Sequence, residues 1–142
     1  MPFVVVYDAN ALYGNAQRDL LIRIAQSGLV QAKWTEPLIE SLQLPDPDDR
    51  HVLAAAIKSS AQVIVKTNLR HFPEAELRQW SVEAKSPDDF VLDQINIDAR
   101  IVYSCVREIA NSRRNPLDTV DDVLAELERA GLVQSVAALR LG

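Results

Sequence analysis

Near the amino terminus the hydrophobic positions run together instead of alternating. Phe3 to Tyr7 (FVVVY) is apolar throughout, rich in β-branched residues, and stops abruptly at Asp8. That is the pattern of a strand buried on both faces in a parallel sheet. From about Arg18 to Ser27 the period becomes helical, with Leu20, Leu21, Ile24 and Ala25 on one face and Gly28 ending the run. LVQAKW predicts a second strand, and TEPLIESL, with Thr35 as a cap and Pro37 in the first turn, predicts a short helix. A helix from Pro47 to about Ser59 follows, then an apolar strand at Val63 to Val65, a brief helix in PEAELRQW and an edge strand in SVEAKS. Strands that alternate with helices predict an α/β sandwich with a mainly parallel sheet, because parallel neighbours need crossovers and crossovers are usually helices.

From Pro87 the texture is helical only. PDDFVLDQI, DARIVYSCVREIANSRR and TVDDVLAELERAGL each open on an Asp or Thr signal and close on basic residues, Pro or Gly. Ile101, Val102, Cys105, Val106 and Ile109 recur at helical spacing, so this tail must bury a face against the sheet or a second subunit. No repeat and no Gly- or Ser-rich linker separates the halves. The expected organisation is an α/β domain over residues 1–90 and a helical extension over 91–142.

A chain of 142 residues, 48% hydrophobic, suits one core. The start MPFVVVYDAN lacks the basic flank and cleavage site of a signal peptide, and no apolar run approaches the ~18 residues of a membrane span. A cytoplasmic protein with no membrane contact is the expectation. The single Cys105 rules out a disulfide framework and, on an apolar helical face, reads as a buried, inert thiol. The net charge of −5 argues against a broad basic surface, so any nucleic-acid contact must be local.

The densest chemistry lies in LPDPDDRHVLAAAI, where Asp46, Asp48 and Asp49 precede an apolar helix. A purely structural account serves: Asp46 caps, Pro47 takes the first helical position and the acids face the positive end of the dipole. Geometry adds a second account. In an open α/β sheet ligands bind beyond the carboxyl ends of the strands, at the switch point. Asp8 and Asn10 leave one such end, Thr67 and Asn68 another, and the helix entrance can bring Asp48 or Asp49 to the same crevice. Clustered carboxylates raise one another's pKa unless a cation joins them, and oxygen-only ligands suit Mg²⁺ or Mn²⁺.

With VVVYDANALYG, LPDPDDRHVLAAAIKSSAQVIV and VKTNLRHFP in view, the chain resembles the PIN domains, particularly the toxin components related to VapC. The resemblance implies a three-layer α/β/α fold with a C-terminal helical extension. It also implies an Mg²⁺- or Mn²⁺-dependent endoribonuclease acting on RNA, with a protein antitoxin as partner. On that likeness Asp8 and Asp49 are the catalytic metal ligands, Asp48 lies beside them, Thr67 and Asn68 support the site, and Asp46 remains a cap. Two departures stand out. Only TEPLIESLQLP separates Trp34 from Asp46, where the family has a longer helical segment with a further acid, and Glu36 and Glu40 are weak stand-ins. His71 replaces the acid of the family's N-x-x-D-F motif. Both departures imply lower metal affinity and a weak or inactive nuclease.

Rival readings remain. A chain that keeps the fold and has lost catalysis is a binding or assembly protein. Lys66 after VIV and Asp8 after VVVY also evoke a receiver-type phosphoacceptor, although the acidic pair expected ahead of the acceptor strand is missing. His51 and His71 are candidate ligands or general acids. Trp34 and Trp80 read as packing, not as base-stacking platforms, and Arg113 and Arg114 read first as a helix terminus. The shortened middle leaves apolar surface whose natural cover is a second subunit, so a homodimer is expected.

Overall fold

The computed structural model describes residues 3–12, 15–34, 61–67, 77–78, 81–113 and 117–141. Strand β1 spans Phe3–Tyr7 and runs into a 3₁₀ turn at Ala9–Leu12; helix α1 is Asn15–Gln26 and strand β2 is Val30–Trp34. Strands β3 (Val63–Val65) and β4 (Glu83–Lys85) follow, then helices α2 (Pro87–Ser112), α3 (Val120–Arg129) and α4 (Val133–Leu141). A mixed α/β protein with a parallel sheet is what the alternating pattern predicts, and it is consistent with a PIN-like fold. The expected helices at TEPLIESL and Pro47 to Ser59 lie outside the described residues. No described helix is long and apolar enough to cross a membrane.

The chain divides into two compact units, one of residues 1–12 and 30–86, the other of 13–29 and 87–142. The first holds a four-stranded, all-parallel sheet in the order β2-β1-β3-β4. Its register aligns Tyr7 with Trp34 on one side and with Val65 on the other, while Val63 faces Glu83. As the unbroken apolar run requires, both faces of β1 are buried, with Val5, Val6 and Tyr7 at most 1% exposed. Val6 and Ile64 pack with Ala61, Leu77 and Val82, and Val4 and Ala84 close the same cluster. SVEAKS forms the edge strand expected of it, docked by hydrogen bonds from Glu83 N to Gln62 O and from Lys66 N to Lys85 O. The turn into it places Ser81 at φ 57°, a left-handed conformation for a residue that has a Cβ.

The second unit is helical. Helix α1 begins three residues before the predicted start and ends at Gly28, whose φ of +91° supplies the left-handed stop. It packs against α2 and α3, and α2, α3 and α4 pack mutually. The predicted break between PDDFVLDQI and DARIVYS is present at Asp98, which leaves helical geometry (φ −156°, ψ 94°). Its Oδ1 accepts from the backbone N–H groups of Arg100 and Ile101, the hydrogen bonds of an N-cap. Thr119 and Asp122 form a reciprocal capping box on α3. Helix α3 ends at Gly131 (φ +109°), with Gly131 N–H to Glu128 O and Leu132 N–H to Leu127 O, a Schellman closure. Helix α4 was not among the predicted elements.

Candidate active site at the carboxyl ends of the central strands

Strand β1 connects onward to β2 on one side, and β3 lies on its other side, so the order β2-β1-β3-β4 puts the switch point between β1 and β3. Parallel register then decides which side chains meet there. Because Tyr7 opposes Val65, the next residue on each strand, Asp8 and Lys66, leaves the sheet side by side. The ladder extends one step, with Asp8 N–H donating to Val65 O at 2.9 Å, and Asp8 O accepts from Ala11 N–H at 2.9 Å to start the 3₁₀ turn. The Asp8 backbone is therefore fixed from both sides.

The two side chains form a buried ion pair. Lys66 Nζ stands 3.4 Å from Asp8 Oδ2, and the residues are 5% and 6% exposed. Removing a carboxylate from water is costly unless opposite charge and hydrogen bonds compensate, and the ammonium supplies both. The site thus contains a cation of the protein's own, positioned where a buried carboxylate demands one. A carboxylate with this demand for opposite charge fits a cation-binding role, and its pairing with Lys66 is what the sequence, which points to Lys66 only through the receiver-type reading, does not show.

Of the other residues singled out from the sequence, Thr67 follows directly on Lys66 and is exposed, and the backbone of Asn10 lies in the 3₁₀ turn after Asp8. Glu36, Glu40, Asp46, Asp48, Asp49, His51, Asn68 and His71 lie outside the described residues. Among the described residues, no three Asp, Glu, His or Cys side chains are grouped so as to hold a metal ion. Cys105 is buried, as expected, and burial foremost pushes its thiol up, which keeps it protonated and unreactive. Arg113 is held by Glu126 and, at 3.0 Å, by Asp118. Arg113 thus has a structural role in an ion pair, and Arg114 lies outside the described residues.

Residues 87–141 match the family model described as the VapC50 C-terminal domain. The chain is 55% identical over 79 residues to a protein of Mycobacterium tuberculosis named "Putative ribonuclease VapC50". That alignment covers 56% of this chain and 47% of the relative, so the chain spans about half the length of the curated relative it matches. No solved structure matches. Both matches support the likeness to VapC-like PIN toxins that the motifs carry.

Proposed function

We propose that the protein is a metal-dependent endoribonuclease of toxin–antitoxin type, which hydrolyses RNA phosphodiesters at the carboxyl ends of β1 and β3. The observation that carries this reading is Asp8, a buried carboxylate fixed at the switch point with a cation beside it. Asp8 and Asp49 are the residues assigned to hold Mg²⁺ or Mn²⁺, with Asp48 adjacent. When bound, such an ion supplies an activated water and neutralises charge on the phosphate. Asp8 contributes a carboxylate whose backbone cannot shift, because both its N–H and its C=O are committed. Lys66 holds that carboxylate in place and adds positive charge where a phosphate would approach. Asn10, Thr67, Asn68 and His71 are assigned supporting positions around the strand ends, Asp46 the helix cap, and Glu36 and Glu40 the remaining acids of the middle segment. The name of the relative supports the ribonuclease reading, and a protein antitoxin and a cytoplasmic location belong to the same proposal.

The test is cleavage of RNA by purified protein in Mn²⁺ or Mg²⁺. Asp8→Asn is expected to lower the rate by about a hundredfold or more, the scale of losing a group that acts on the transition state. Undiminished cleavage by that variant removes the assignment.

The same ion pair favours a second reading. Lys66 already neutralises Asp8, so the fold needs no metal at this point, and the chain can serve as a PIN-like binding or assembly protein without turnover. Calorimetric titration of Mn²⁺ separates the two. Heat of binding in the wild type that is lost in Asp49→Ala supports the nuclease, whereas no heat and no cleavage support the binding protein.

A further inference from the structure

An acidic protein that acts on RNA must hold the polyanion locally, and the helical unit contains such a place. Acids outnumber bases in that unit. Even so, Arg100 and Arg107 on α2 and Arg140 on α4 line a single cleft of about 880 Å³. Among the described residues that line it, Asp121 is the one acid. Arg140 also pairs with Glu128 at 3.8 Å, but both side chains are about half exposed, and such a pair is weak, screened and readily exchanged for a phosphate. The guanidinium of Arg107 lies over the ring of Tyr103, 5.3 Å from its centre. Leu124 and Leu139 give the cleft an apolar floor.

We propose that this cleft binds single-stranded RNA, its arginines taking backbone phosphates and the Arg107–Tyr103 stack receiving a base. The proposal rests on the ribonuclease reading for its choice of ligand. Two features favour RNA over an acidic peptide. A ring with a guanidinium on its face is a planar platform of the kind on which unpaired bases stack. Carboxylates on a peptide would use the charges but leave that platform idle. The volume lies in the range of pockets that enclose a nucleotide-sized group.

The test is anisotropy of a fluorescent single-stranded RNA of about 12 nucleotides, on the scale of such binding sites. The full chain is used in EDTA, so that binding is read without cleavage. Arg107→Gln and Arg140→Gln are each expected to weaken binding about 3- to 10-fold and to reduce the slope of log affinity against log salt by about 0.7, the value for one phosphate contact on a single strand. Tyr103→Leu should weaken binding with the salt slope unchanged. Arg107→Lys should restore the slope but not the full affinity, because it keeps the charge and loses the planar stack. Unchanged affinity and slope across all variants, with unaltered circular dichroism melts, overturn the proposal. So does displacement of the RNA by a peptide of alternating Glu and Leu that binds more tightly. Asp8→Asn is assayed in parallel for cleavage in Mn²⁺ alone: if it cleaves as the wild type does, the active-site assignment falls, while the cleft is judged by its own arginine series.

Discussion

At the scale of single residues, Asp8 and Lys66 matter most, and they differ in how far the sequence announces them. Asp8 is legible because an apolar run that ends in a carboxylate is a strong local signal. Lys66 is not, since lysine after a strand is normally solvated and only the parallel register of β1 with β3 brings it beside Asp8. Its burial gives the pair a measurable signature. Lys66→Met is expected to cost about 3–5 kcal/mol in urea unfolding, because it strands a buried charge, whereas the double variant Asp8→Leu/Lys66→Met should recover most of that loss. The double-mutant cycle is the check: additive effects of the two single changes would mean that the ion pair is not a unit.

At the scale of elements, α4 shows why part of the fold could not be read locally. The helices on either side of Asp98 and helix α3 carry their own start signals, α1 carries a glycine stop, and each lies near its predicted place. Helix α4 follows Leu132 with no local cap, and its first N–H groups are satisfied from 46 and 47 residues away. Asp88 Oδ2 accepts from Gln134 N–H at 3.1 Å and Oδ1 from Ser135 N–H at 2.9 Å, while the backbone carbonyl of Asp88 takes the Ser135 hydroxyl. The start of α2 thereby acts as the cap of α4. Asp88→Ala should destabilise the protein by about 1–2 kcal/mol, the range for a lost N-cap. Amide exchange should accelerate first at Gln134 and Ser135. The pH dependence has a definite sign. Burial raises the Asp88 pKa, but the hydrogen bonds from Ser135 and Gln134 outweigh it and hold the carboxyl below its ordinary value of 3.8. A depressed folded-state pKa gives stability that is complete above the unfolded value and is lost as pH falls through the folded one. The difference in stability between wild type and Asp88→Ala should therefore shrink on acidification below about pH 4; a difference that stays constant to pH 2 would contradict the carboxylate's role.

At the scale of the whole molecule, the two units do not follow the chain in sequence, and this bears on the matched C-terminal segment. Texture alone puts the expected boundary near residue 90, since only helices follow Pro87. Yet the helical unit also contains residues 13–29, because α1 packs on α2 and α3. Leu20, Leu21 and Ile24 of α1 are fully buried, and burying each is worth about 1.5–3 kcal/mol. Their combined contribution is comparable to the whole net stability of a typical domain, on the order of 5–15 kcal/mol. Residues 87–141, although matched as a domain, are thus not expected to form a fully stable fold when cut from the chain. A fragment of residues 87–142 should show helical circular dichroism with a broad, weakly cooperative melt, because packed faces on α2 and α3 lose their cover. Adding a peptide of residues 13–29 in trans should sharpen the transition, although that peptide, which carries a helix of 12 residues, should be largely unfolded alone. A sharp two-state melt of the isolated fragment at the temperature of the intact protein would show that α1 is dispensable and that the interleaving carries little of the stability.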